Sequence, residues 1–149
     1  MTEAFNLKIP HGGYVVVGDG RRALLLRNEG HALHLGLRVQ HLFEAPPNPP
    51  TREQGTDRPP RVRQGERRSA IAQTDWHEIA EHRFAGEVAA ALDRIADAIS
   101  ALIIVAPPRT LASLRHALSD RLKRTVIAEI DKDLTKLSIE EIGQRLTQT

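Results

Sequence analysis

The 149-residue chain is predicted to form an α/β domain around a mixed five-stranded sheet, and three observations predict it. Leu102, Ile103, Ile104, Val105 and Ala106 form a continuous apolar run, which is how a strand reads when helices cover both of its faces. Pro107 and Pro108 follow at once: neither donates to a strand ladder, and Pro108 suits the first turn of a helix running on to Leu118. Before this hinge, short β-branched runs broken by Gly and Asp give way to helical periodicity, so the sheet starts as an antiparallel meander and continues through a right-handed crossover.

The elements follow in order. Tyr14, Val15, Val16 and Val17 make a first strand closed by Gly18, Asp19 and Gly20, and residues 22–27 (RALLLR) make the returning arm of a hairpin. After Asn28, Glu29 and Gly30, residues 33–43 predict a third strand, with Leu33, Leu35, Leu37 and Val39 on one face and His34, Arg38 and Gln40 on the other. Residues 45–74 hold six prolines and six arginines with almost no large apolar side chain before Ile71. They cannot pack a core and predict a long exposed loop, the first place a protease should cut. Asp75 and Glu78 have capping-box spacing, and Trp76, Ile79, Phe84, Val88, Leu92, Ile95 and Ile99 recur at helical intervals. The central strand and the Pro108 helix come next, then a short segment at 120–124, a strand at 126–131, and a last helix opened by Ser138 and Glu141. The expected topology is β-β-β-α-β-α-β-α with strand order 3-2-1-4-5.

Composition narrows the function. Trp76, Tyr14 and three Phe are the only aromatic side chains, so base stacking on aromatic platforms is not expected. The absence of cysteine excludes disulfides, thiolate zinc sites and Cys nucleophiles. No signal-peptide pattern or membrane-length apolar run is legible, which predicts a cytoplasmic protein without a membrane span. Net charge is +2, but residues 1–68 carry eleven Lys and Arg against seven Asp and Glu, a basic excess suited to a polyanion. His77 and His82 are five apart and do not share a helical face as metal ligands would.

Ligands of open α/β sheets collect at the carboxyl ends of the strands. If the first, central and last strands are parallel neighbours, that edge gathers Asp19, Arg21, Arg109, Asp131, Lys132 and Asp133. Carboxylates there would suit a divalent metal beside a phosphate; the plainer account is that Asp19 shapes a turn and that 131–133 leave a strand in solvated order. No catalytic residue, metal ligand or cofactor is assigned, since no Ser-His-Asp pattern, Gly-rich phosphate loop or HExxH stretch is present. The loop arginines Arg52, Arg58, Arg61, Arg63, Arg67 and Arg68 form a second candidate surface, for phosphates or an acidic partner.

The segments VVVGDGRRALLL, TDRPPR, EIAEHRFAGEVAAAL, LIIVAPPRTLASLRHAL and VIAEIDKDLTKLS resemble those of the bacterial host attachment protein family over nearly the whole chain. The VAPPR turn and the EIDKDLT segment are the most specific parts; Ala112 stands where the family usually has glycine, and Gly18 where alanine is common. The family is named for a requirement in attachment to host cells. It is similar, more remotely, to the middle domain of archaeal and eukaryotic peptide-chain release factors, which implies a three-layer, ribonuclease H-like sheet over residues 1–149. The Gly-Gly-Gln tripeptide of peptide release is missing, and His11-Gly12-Gly13-Tyr14 does not replace it. The resemblance therefore implies a non-enzymatic binding module with a macromolecular partner such as the ribosome or another RNA. A metal-dependent phosphodiester hydrolase and a factor that itself attaches bacteria to host cells are the alternatives.

Overall fold

In a computed structural model the described residues are 5, 7–45 and 79–147. Among them β1 (Tyr14–Gly18), β2 (Arg22–Asn28) and β3 (Leu37–Glu44) come first, followed by a helix, α1, over residues 79–94. A single 3-10 turn (Ala96–Ala98) leads into β4 (Leu102–Val105), α2 (Pro108–Ala117), the one-turn α3 (Asp120–Lys123), β5 (Val126–Ile130) and α4 (Ile139–Thr147). The sheet order is β3-β2-β1-β4-β5, antiparallel through β3-β2-β1 and parallel through β1-β4-β5, as expected. The long basic loop, its six arginines, and the capping box at Asp75 and Glu78 lie outside the described residues. Among the described residues no helix is long and apolar enough to cross a membrane.

The apolar run of β4 is central because both of its faces are covered. Leu102 and Ile104 face a cluster with Tyr14, Val16, Leu25 and the α1 residues Phe84, Val88 and Leu92, joined by Leu111 and Leu114 of α2. Ile103 and Val105 face the opposite cluster, with Val15, Val17, Leu26, Ile130, and Ile142 and Leu146 of α4. Alternation along each strand thus feeds two cores, giving a three-layer arrangement with α1 and α2 on one side and α4 on the other. The Pro108 helix starts where expected, with proline in its first turn.

The third strand departs from its expected register. Residues 31–36 are irregular, with a bend at 32–34; Leu33 is 84% exposed, and pairing begins only at Leu37. His31 and His34 exchange backbone hydrogen bonds (3.0 and 3.2 Å), closing a tight turn over Ala32 and Leu33. The ladder also slips at Gln40: Leu25 pairs with His41 but Leu26 pairs with Val39. One extra residue on β3 is a β-bulge, and it moves everything beyond it to the other face. A one-sided alternation across 33–43 therefore does not hold.

The β2 end is fastened by Asn28, a fully buried polar residue. Its Nδ2 donates to the carbonyls of Ile9 (2.9 Å) and Pro10 (3.3 Å), while its Oδ1 accepts from the N–H groups of Gly30 (3.0 Å) and Gly36 (2.9 Å). One side chain thus ties the N-terminal segment to the β2–β3 connection. Gly30 is compressed here, because a Cβ would run into the His34 carbonyl and the Gly36 N–H.

The last helix opens as its spacing predicts. Ser138 N–H donates to Glu141 Oε1 (2.9 Å) and Glu141 N–H to Ser138 Oγ (3.1 Å), a complete capping box. These Ser138 hydrogen bonds hold the Glu141 carboxyl below its ordinary pKa. A carboxyl with a lowered folded pKa stabilises fully above its unfolded pKa, and that contribution disappears as pH falls through the folded one. The expected result is that wild type loses more stability than Glu141→Gln between neutral pH and pH ~3, read by urea unfolding. Gln keeps the box but does not titrate.

Candidate functional site

The parallel arrangement β1-β4-β5 brings the β1–β2 turn, the start of α2 and the end of β5 to one edge. Each sequence-predicted residue can be placed on it. Asp19 builds its own turn: its Oδ1 accepts from the N–H groups of both Arg21 and Arg22 (2.9 Å each), and its N–H donates to Arg22 O (3.0 Å). This is an Asx turn, in which the carboxylate replaces a backbone acceptor. Asp133 does the same after β5, accepting from the N–H (2.9 Å) and hydroxyl (2.5 Å) of Thr135. Arg21, Asp131 and Lys132 are exposed at the rim. Because β4 lies between β1 and β5, their carboxyl ends are two strand spacings apart, about 9.6 Å. Among the described residues no three His, Asp or Glu side chains form a set that could hold a metal ion.

Arg109 is the second residue of α2, and its Nε lies 3.8 Å from Glu81 Oε1 in the first described turns of α1. Gly20, with φ +94°, is the third member of this meeting point. A Cβ there would sit 3.0 Å from Thr110 Oγ1 and 3.8 Å from Glu81, so the β1–β2 turn packs its bare backbone against the start of α2 and the first described turn of α1. One turn further along α2, the buried Ser113 Oγ is hydrogen-bonded to His82 Nδ1 at 3.3 Å. Glu81, Thr110 and Ser113 were not singled out by sequence reasoning, and His82 was weighed there only as a metal ligand. One signal pointed to Glu81: β3 runs the same way as β1, so a helix crossing over from it to β4 must begin at the carboxyl edge, which brings its first acidic residues there.

The electrostatics centre on the start of α2. Its N-cap, Pro107, offers no side-chain acceptor, its first turn holds no acidic residue, and its second position carries a cation. A cation at the positive end of a helix dipole is unfavourable by a few tenths of a kcal/mol or more, and nearby negative charge offsets it. Glu81 does this, at a distance and exposure typical of weak surface pairs, with Arg109 66% exposed. Arg109→Ala is therefore expected to change unfolding free energy by no more than ~1 kcal/mol, measured in urea. On the outer side of α2, Arg115 grips Glu129 of β5 (Nε to Oε1 3.0 Å), and that carboxylate raises the guanidinium pKa further. This second pair braces helix and strand rather than the edge.

At the opposite end of the sheet a groove of about 780 Å³ runs between the N-terminal segment, the β2–β3 connection and α4, lined by Leu7, Leu33, Leu35, Leu37 and Gly143 among others. None of the predicted site residues lines it.

No curated protein matches the chain at a significant level. The stretch from the first residue of β1 to the last turn of α4, residues 14–146, matches the family described as "protein required for attachment to host cells", and the chain belongs to that family.

Proposed function

We propose that the protein is a binding module of the host attachment family whose carboxyl edge, centred on Arg109 with Arg21 and Lys132 at its rim, takes the phosphate groups of a macromolecular partner, an RNA or the ribosome. The observation that carries this reading is Arg109 itself. A guanidinium at the positive end of a ten-residue helix that has no acidic residue in its first turn is a local cost to the fold that Glu81, at 3.8 Å, offsets in part, and an anion on the partner would add to that compensation. Arginine also suits the task by chemistry, since its planar fork meets phosphate oxygens in pairs.

Two further facts support the edge. Two of its carboxylates, Asp19 and Asp133, are occupied by turn N–H and hydroxyl groups, so they counter an incoming anion less than their number suggests. Ala45, the last described residue before the arginine-rich stretch, donates its N–H to Arg21 O (2.7 Å), and α1 resumes beside Gly20. The described residues on either side of the stretch that holds Arg52, Arg58, Arg61, Arg63, Arg67 and Arg68 thus both lie near this edge. The remote release-factor resemblance, with its ribonuclease H-like architecture, points to the same class of partner and not to peptide release, because the Gly-Gly-Gln tripeptide is missing.

The test is co-sedimentation of the purified protein with ribosomes and a mobility shift with structured RNA across a salt series, together with a pull-down from lysate with and without ribonuclease. Binding that weakens steeply with salt, falls several-fold in Arg109→Ala and is lost from the pull-down after ribonuclease is the expected result. Retention of the same partners by Arg109→Ala, or capture indifferent to ribonuclease, would overturn it.

A further inference from the structure

We propose that the protein self-associates through the outer edge of β3, joining two copies into one continuous antiparallel sheet about a two-fold axis between Gln40 and His41. Among the described residues the strand is an edge of the sheet, and it has eight residues. It also holds two of the large apolar side chains left exposed among the described residues, Val39 (45%) and Leu42 (47%). An edge of this length bearing apolar side chains is a template for strand pairing. The other edge, β5, has five residues, and Ile127 is its exposed large apolar side chain.

The main chain selects the partner. Ala45 N–H donates to Arg21 O, and Gly36 O accepts from Glu29 N–H, so both residues face β2. Alternation inward from these two ends turns the backbone groups of Glu44 and Leu42, and of Leu37 and Val39, away from β2. The two counts fall out of step at Gln40, where the ladder slips. The outward set is therefore Leu37, Val39, Leu42 and Glu44, which is symmetric about the midpoint between Gln40 and His41. A second copy running antiparallel pairs Leu37 with Glu44 of the partner subunit and Val39 with Leu42 of the partner subunit, and no other self-register uses all four.

The bulge also makes the faces agree. Val39 pairs with Leu26 and Leu42 with Leu24, and Leu24 and Leu26 both belong to the α4 side of the sheet. Val39 and Leu42 thus share a face, which residues three apart on a regular strand would not. Across the axis they become direct cross-strand neighbours, twice over, and their exposure ends. No like charges oppose each other: Arg38 meets Phe43 of the partner subunit, and Glu44 meets Leu37 of the partner subunit. The two carboxyl edges then point in opposite directions, each open.

The chain has no cysteine, so the register can be read directly. Val39→Cys and Leu42→Cys are made separately, and each is oxidised alone and as a mixture, because directly opposed residues are about 5.5 Å apart at Cα, within disulfide reach. Cross-linking in the mixture well above that of either variant alone is expected. Wild type should sediment with concentration towards twice the 16.6 kDa chain mass. Leu42→Lys, at an exposed position, should keep its circular dichroism and raise the dissociation constant about tenfold or more. A wild type that stays monomeric at its highest soluble concentration, as it would if residues 46–78 covered this edge, overturns the proposal. So does cross-linking of one variant alone as efficient as that of the mixture, which would mean another register.

Discussion

Ile104→Ala is expected to destabilise the protein by about 2–5 kcal/mol, the range for removing most of a large aliphatic side chain from a packed interior. Ile104 is 1% exposed, on the strand whose neighbours on both sides are parallel, and its face is the one that α1 and α2 cover. Val16 pairs with it directly, and Phe84, Val88 and Leu92 complete the cluster. Ile104 sits on a strand locked by two ladders, which cannot settle towards the vacancy, so part of the cavity will persist. Urea unfolding measures it, with the m-value unchanged. A loss below ~1 kcal/mol would show that the β4 face is not packed as described.

Asn28→Ala is the other large effect, expected at about 3–5 kcal/mol although it removes little volume. The energy is in the groups left behind. Ile9 O, Gly30 N–H and Gly36 N–H lose their side-chain partner in a site with no solvent exposure at the residue that served them. A buried donor or acceptor without a partner costs about 1–3 kcal/mol, and here several are orphaned together. Asn28→Asp separates the contributions, because the carboxylate still accepts from Gly30 and Gly36 but cannot donate to Ile9 and Pro10. A thermal or urea midpoint shift for Asn28→Ala no larger than that of an exposed substitution would overturn the assignment. Amide exchange of Gly36 should accelerate in Asn28→Ala more than that of β4, since the connection it anchors opens first.

The residues that announced themselves in the sequence are those whose role is local. Leu102–Val105 reads as a doubly covered strand because every position is apolar, Pro108 can open a helix but not continue a strand, and Ser138 and Glu141 reach each other within one turn. Asp19 and Asp133 likewise bond to N–H groups two or three residues on; for Asp19 that turn-building role was one of the two accounts legible in the sequence, whereas Asp133 was read as a solvated strand exit. Chain order alone then placed β1, β4 and β5 side by side, because a right-handed crossover leaves few alternatives.

What only the tertiary structure decided involves partners distant in sequence. Glu81 meets Arg109, Gly20 closes on Thr110, and Ser113 finds His82, since the start of α2 and the first described turn of α1 meet at the edge where the β1–β2 turn ends. Asn28 looked like an ordinary turn residue, yet three of its four hydrogen bonds are distant, two reaching back eighteen or more residues and one forward eight. The bulge at Gln40 left no mark in composition. A slip of one residue costs little locally, but it decides which side chains of β3 share a face, and that choice is made by the strand it pairs with.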